Sequence, residues 1–487
     1  MAGHTPPLAA GGVEPSGERP RRSLVLAGGG MRVAYQAGVL RALSEAGLHF
    51  HHGDGTSGGI MNLAMILSGQ DPVEMGERWR TLDQRQFMSL LPLRQYVRSF
   101  RWPAFGGTRG VRDRVFPHLG IDVERIRSAQ GMVGTFNVCN FSRKVAEVFE
   151  HSDIDLDLLV AGISLPMLMP AVTHHGESYL DAVWIRDSNV LEAVRRDADE
   201  VWLVWCIGNT PEYLNGSFRQ YVHMIEVAAS ASLYADFEQV RAVTKERPSP
   251  VVLHLIKPES PIPLDPDYFL GRIDAGTLVE MGYRDGCRYL DRLDPAGVAW
   301  EPGATAMRSD RPALLIRADL TGHLGDHDLA VRLAPEIPDA ATMKSGSRID
   351  APATGHATFP AVGTRVPFRD ARVTVTTGGR LSFEATLEGP DGRYCLAGEA
   401  TIGNSVLPVS LSQGEQPGGA IVAEGELDLD RALWSSALRT AHVTHALSSG
   451  DRGRVMRALA RVVLHHGLQA RHNGREHRRP GAPRVLP

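Results

Sequence analysis

The stretch LAGGGMRVAYQAGVLRAL (Leu26–Leu43), with GTSGG (Gly55–Gly59) close behind it, decides how this chain is read. Ser23–Ala27 is a short apolar run of the kind that forms a buried strand, and it leads into Gly28-Gly29-Gly30. Met31–Ala46 then carries Val33, Ala37, Leu40 and Leu43 at helical spacing, with Gly47 placed to stop the helix. A second strand is expected from about Leu48 to Asp54, ending at the Ser57 turn. A further helix should start near Gly58 and carry Ile60, Leu63, Ala64 and Leu67 before Gly69. Strand, loop, helix, strand, turn, helix is the grammar of a mostly parallel sheet with helices on its faces, so the fold class is α/β.

The chemistry in this stretch centres on Ser57. GTSGG fits G-x-S-x-G, a sharp strand-to-helix turn that exposes a nucleophilic serine, and Gly55 and Gly59 allow the close backbone approach that turn needs. Free N–H groups at Gly28, Gly29 and Gly30 would hold the negative oxygen formed when such a serine attacks an ester. Nucleophile and oxyanion hole together read as acyl transfer. A dinucleotide loop fits less well, because Val33 stands where the last glycine of G-x-G-x-x-G belongs.

Outward from this core, residues 1–22 read as a flexible tail without the apolar segment of a secretory signal. Arg78–Ile126 is mixed and Arg-rich, with Trp79, Phe100, Trp102 and Phe105. Strands are expected at Gly134–Val138, Val145–Phe149, Ser178–Leu180, Glu200–Ile207 and Val251–Ile256. Helices are expected within Leu156–Pro170 and at Val190–Arg196, Phe218–Lys245 and Thr277–Leu293. Residues 294–312 have the Pro/Gly/Ala content of a linker. From 313 to about 425, alternating stretches separated by Gly-Gly, Pro-Asp-Gly and Gly-Asn turns give the signature of an antiparallel β-rich domain. Residues 426–487 read as helical, at Leu427–Ser448 and Val455–Gln469, with a basic tail.

The ordered set of motifs resembles the patatin-like phospholipases. LAGGGMRVAYQAGVLRAL and GTSGG look like the start of that family, Ser164-Leu165-Pro166 with Pro170 like its intervening turn, and YLDAVWIRDSNVLEAV (Tyr179–Val194) like its second catalytic block. The resemblance spans Ser23 to Leu293. It implies that Ser57 is the nucleophile and Asp181 its partner in a Ser–Asp dyad. It also implies an oxyanion hole around Gly28, Gly29 and Gly30, supported by Arg32. The activity implied is hydrolysis of a phospholipid or other fatty acyl ester, with no metal or other cofactor; some members transfer the acyl group instead. Two positions depart from the family: Val33 stands for a glycine after Arg32, and Ala182-Val183 for the small pair after the aspartate. These departures prompt a second reading, a non-catalytic lipid- or partner-binding descendant. In the β-rich segment, Leu320-Thr321-Gly322 and Gly392–Ile402 resemble an accessory domain found beside lipid- and sterol-handling enzymes, with a structural lid or dimerisation module as the alternative.

A base at Asp181 must be partly buried to work near neutral pH. Asp187 is its competitor, but its position fits an N-cap for the next helix. His49, His51 and His52, and His174 and His175, would admit a Ser-His-Asp triad or a metal site; the expected strand puts His49 and His51 on one face and His52 on the other.

Composition bounds the rest. With 487 residues, 43% hydrophobic and a net charge of −4, the whole chain is no polyanion binder. The basic residues are not interleaved with aromatics, so no nucleic-acid partner is expected. Cys139, Cys206, Cys287 and Cys395 are far apart, which makes a reducing, cytoplasmic setting the default. Arg452–Arg479 is a basic amphipathic segment: either a helix docked on its own domain or a peripheral contact with an anionic membrane.

Overall fold

The structure is a computed structural model that describes residues 8, 20–87, 89, 104–207, 213, 215–259, 262, 273–306, 313–343, 348–360, 362–376, 379–402, 404–429, 439–444 and 450–461. It divides into two units, Met1–Arg308 and Ser309–Pro487.

The first unit is built on β1 (Arg22–Leu26), a buried apolar strand with a parallel neighbour on each side. β2 (His52–Thr56) lies on one side, in register from Ser23 opposite His52 to Leu26 opposite Gly55. β7 (Glu200–Val204) lies on the other and pairs in turn with β8 (Val252–Ile256). Beyond β2 come β3 (Val133–Asn140), parallel to it, and then the antiparallel β4 (Val145–Glu150), β5 (Val172–His174) and β6 (Glu177–Asp181). The sheet order is β5-β6-β3-β2-β1-β7-β8 with β4 on β3, the mixed, mostly parallel sheet expected of the α/β class.

Helices cover the sheet where the apolar spacing places them. α1 (Ala34–Glu45) follows a short 3-10 turn at Gly30–Val33, and α2 (Gly58–Leu67) is buried along its whole length. α3 (Pro72–Thr81) is capped by Asp71 and lies mostly before the mixed region, where no element was expected. α4 (Leu156–Gly162), α5 (Val190–Arg195), α6 (Ser217–Val243) and α7 (Ala275–Asp291) fall where helices were expected. Residues 294–306 are held on this unit: Trp300 donates its ring N–H to Val251 O at 2.9 Å, and Val298 bonds back to Leu253 at 2.8 Å. Phe100 and Trp102 lie outside the described residues.

β5 had no counterpart in the sequence reading, β7 ends at Val204 short of the expected Ile207, and β2 starts late. The alternation from Leu48 to His52 looks like a strand, yet β2 begins only at His52, where pairing with β1 and β3 starts. His49 and His51 therefore share no strand face. Pairing with two neighbours outweighs the weak strand preference of Gly53, Asp54 and Gly55.

The second unit is a closed antiparallel barrel. Its strands are β10 (Ala318–Leu324), β11 (His327–Ile337), β12 (Ile349–Phe359), β13 (Gly363–Val375), β14 (Arg380–Gly389), β15 (Gly392–Thr401), β16 (Val406–Gln413) and β17 (Ile421–Asp428). Each pairs with the next, and β17 returns to β10, which closes the ring. Alternate residues such as Leu329, Val331, Leu333, Phe383, Ala385, Leu387, Val409 and Leu411 fill one core. Closure removes the exposed strand edges that an open sheet would present.

β9 (Ala313–Leu315) and β18 (His442–Thr444) extend this sheet past β11. The helix expected over Leu427–Ser448 is thus corrected at both ends: Leu427 belongs to β17, and His442–Thr444 forms a strand against β9. Residues 450–461 are helical, and Val455 and Leu459 pack with Leu314, Ala340 and Val443. The apolar face of that part of the basic segment is turned into its own unit. Residues 462–487, with the rest of the tail, lie outside the described residues.

Candidate active site

Ser57 stands one residue beyond β2 and caps the N-terminus of α2, with φ 51° and ψ −129°. A left-handed φ in a non-glycine residue costs about 1–3 kcal/mol and persists only where the surroundings enforce it. Here the glycines on either side do so. A Cβ on Gly59 would stand 2.1 Å from the Leu26 carbonyl oxygen, so only glycine lets α2 start this close to β1.

Asp181 comes to the same point from the opposite direction. β2 runs parallel to β3 and sets Thr56 opposite Asn137, while β6 runs antiparallel and sets Asp181 opposite Val138. Because β4 occupies the other edge of β3 along this length, β2 and β6 share one edge and meet end to end. The Asp181 N–H is held by Ser164 O at 3.1 Å, within the turn that Ser164-Leu165-Pro166 makes.

The result is a direct contact between residues 124 positions apart: the Ser57 hydroxyl donates to Asp181 Oδ2 at 2.6 Å. The other carboxylate oxygen accepts the Val183 N–H at 2.9 Å. Asp181 is fully buried and Ser57 is 4% exposed. Burial pushes the Asp181 carboxyl up to about 7, against the lowering effect of its bonds from Ser57 and Val183. A carboxylate so placed can accept the serine proton at neutral pH.

Residues 24–194, which contain this arrangement, match the family model for patatin-like phospholipases. The chain carries a patatin-like phospholipase domain. Lysophospholipase nte1 of Aspergillus terreus (strain NIH 2624 / FGSC A1156) is 25% identical over 305 residues, 56% of this chain. This chain spans only 18% of that protein's length. The crystal structure of VipD from Legionella pneumophila superposes with a TM-score of 0.33 and 11% identity, over 57% of this chain and 68% of that one. That likeness is too loose to bear on the fold.

In the patatin-like domain, the Gly28–Gly30 turn lies beside Ser57. Gly29 has φ 155° and Gly30 φ 58°, values that favour glycine, and a Cβ on Gly29 would stand 2.7 Å from Cys206 Sγ. The Gly28 N–H, expected as an oxyanion donor, is instead taken by Asp187 Oδ2 at 3.0 Å, whereas the N–H groups of Gly29 and Gly30 head the 3-10 turn, where a helix offers them no acceptor, and donate to no protein acceptor among the described residues. Arg32, 3% exposed, reaches back from Nε to Gly29 O at 3.0 Å and from Nη1 to Glu226 Oε1 on α6 at 3.1 Å. It fixes the carbonyl side of the turn.

The departures from the family pattern are accommodated. Val33 sits in a right-handed helical conformation, φ −65° and ψ −10°, where a side chain carries no penalty. Ala182 and Val183 start a 3-10 turn at ordinary φ, and Val183 packs into the apolar core.

Behind the serine lies a buried polar network that the sequence reading missed. Asn137 donates from Nδ2 to Asp54 Oδ1 at 2.7 Å, Thr56 Oγ1 at 3.0 Å and Gly55 O at 3.2 Å, and accepts from Asn189 at 2.8 Å. Thr135 donates to Asp54 Oδ2 at 2.7 Å, and burial raises Asp54 to about 7. An asparagine inside the apolar strand GTFNVCN is the one trace of this network in the sequence.

Asp187 is a correction. The cap of α5 is Asn189, whose Oδ1 accepts the Glu192 N–H at 3.2 Å; the Asp187 carboxyl points at Gly28 instead. Among the described residues no histidine bonds to Ser57 or Asp181. His52 is held between Ser23 Oγ at 3.1 Å and Thr135 Oγ1 at 2.8 Å; burial, then Arg196, lower it to about 3, so it is neutral. His174 pairs with Asp155 at 2.9 Å.

Proposed function

We propose that this protein is a lipid acyl hydrolase working through a Ser57–Asp181 dyad and an acyl-enzyme. The observation that carries the reading is the 2.6 Å contact from the Ser57 hydroxyl to a buried carboxylate. Ser57 Oγ attacks the ester carbonyl carbon while its proton passes to Asp181 Oδ2. The N–H groups of Gly29 and Gly30, with the positive end of α2, stabilise the oxyanion. Collapse expels the alcohol, which takes the proton from Asp181. Water then attacks the acyl-enzyme, gives a proton to Asp181, and Ser57 leaves with that proton as free acid is formed.

The family match and the similarity of part of the chain to a fungal lysophospholipase support a lipid ester substrate, with a lysophospholipid as the first to try. No helix among the described residues is long and apolar enough to cross a membrane.

A fluorophosphonate probe tests the nucleophile, and fatty acid release from a panel of phospholipids, lysophospholipids and neutral lipids tests the substrate. Wild type is expected to be labelled and active, and Ser57→Ala to be neither, with a loss of at least about 10⁴-fold. Equal labelling of the two proteins would overturn the assignment. Acyl transfer to an added alcohol in place of free acid would redefine the acceptor but keep the dyad.

A further inference from the structure

Asp187 takes no part in the dyad, yet its carboxyl is built into the same space. It is fully buried. Gly28 N–H donates to its Oδ2 at 3.0 Å and to its backbone carbonyl at 3.2 Å. Its other oxygen, Oδ1, is buried with no hydrogen-bond partner. A Cβ placed on Gly28 would stand 2.0 Å from that Oδ1 and 2.9 Å from Ser57 Cβ, so the carboxyl oxygen and the serine side chain both lie against the same face of the glycine. Only a residue without a side chain at position 28 leaves room for this arrangement.

An unpartnered charged oxygen in such a place would be strongly disfavoured; a neutral acid costs far less. Since Oδ2 already accepts the Gly28 N–H, the proton of a neutral Asp187 belongs on Oδ1, the oxygen without a partner. We propose that Asp187 is a neutral carboxylic acid whose Oδ1–H is a further hydrogen-bond donor to the oxyanion formed when Ser57 attacks its ester. This deepens the reading of Ser57 as nucleophile and rests on it. No bond to Asp187 forms or breaks; it donates a hydrogen bond and keeps its proton throughout.

The surroundings agree with that state. Burial pushes the Asp187 carboxyl well above the usual carboxylate range, the Asp181 charge adds to this, and the Gly28 N–H and Arg32 draw it back. The charged and titratable groups around it are Asp181 at the end of β6, Arg32 in the turn after β1, and the Cys206 thiol after β7, which donates to Gly28 O at 3.2 Å. Tyr221 of α6 stands by Asp181 and donates its hydroxyl to Pro166 O. Two carboxyl groups whose environments separate them in this way divide into a base, Asp181, and an acid, Asp187.

The test is the pH dependence of kcat and kcat/KM for a p-nitrophenyl ester, on full-length wild type, Asp187→Asn and Asp187→Ala, with fluorophosphonate labelling of each. Wild type is expected to gain activity as pH rises through about 7, where Asp181 deprotonates, and to lose it again in the alkaline range as Asp187 deprotonates. Asp187→Ala should lose about 10²–10³-fold in kcat with little change in KM. Asp187→Asn offers an N–H that does not titrate, so it should restore most of that loss and abolish the alkaline fall. An alkaline fall that persists in Asp187→Asn, or a kcat of Asp187→Ala close to that of wild type, overturns the proposal. A carboxyl that merely braces Gly28 would leave the profile of the Asn variant like that of wild type. If the Ala variant fails to fold, the Asn profile still decides. Failure of the nucleophile reading is separate: it appears as unchanged labelling in Ser57→Ala.

Discussion

Asp54 sits directly before the Gly55–Gly59 turn, fully buried and held by Thr135 and Asn137 rather than by any cation. Its folded-state pKa of about 7 lies above that of a free aspartate, so the folded protein holds this proton more tightly than the unfolded chain. The sign follows: this stabilising contribution is complete below about pH 4 and is lost as pH rises through about 7. Asp181, also near 7, and Asp236, near 6, act in the same direction. Asp54→Asn should therefore flatten the fall in stability between about pH 5 and 7.5 and gain ~2–4 kcal/mol on wild type at the upper end. Urea denaturation at a series of pH values measures this; an unchanged slope would mean that Asp54 is ionised without penalty.

At the level of elements, the crossing of α1 and α7 depends on absent side chains. A Cβ on Gly38 would stand 1.9 Å from Val279 O, and one on Gly282 would stand 1.9 Å from Tyr35 O. The two backbones therefore touch, and α1 follows the Gly28–Gly30 loop through the 3-10 turn at Gly30–Val33. Both contacts are with backbone atoms, which cannot turn aside. Gly282→Val is expected to cost about 3 kcal/mol or more, read as a lowered denaturation midpoint. Near-normal stability would show that the helices can part at little cost. The same scale explains the site: β2 and β6 are unremarkable strands, and what matters is that both end at one edge of β3.

At the level of the whole molecule, the two units hold themselves together by different means. The first buries a sheet between helices; the second closes a ring of strands around its own core. The barrel satisfies its edges within itself, from β10 back to β17. Calorimetry of the full chain should therefore show two transitions, and Gly282→Val should lower one and leave the other in place. A single transition that shifts as one would contradict this independence.

The local signals in the sequence were strong wherever one residue type has one physical use. Glycines at 28–30, 55 and 59 marked backbone turns, apolar spacing marked α1 and α2, and the resemblance named Ser57 and Asp181. The sequence was misleading where tertiary pairing outweighs local preference, as at Leu48–Phe50, expected as strand, and at His442–Thr444, expected as helix. Asp187 looked like a cap because capping is read from neighbours in the chain, whereas its carboxyl is turned to a glycine 159 residues away. Sequence alone thus settled which groups are present and which turns carry them. The tertiary structure decided that β2 and β6 meet head-on, that the strands from Ala318 to Asp428 close into a ring, and that burial sets the protons of Asp54, Asp181 and Asp187. The reason is that register and desolvation arise between segments distant in the chain, and neither leaves a local pattern.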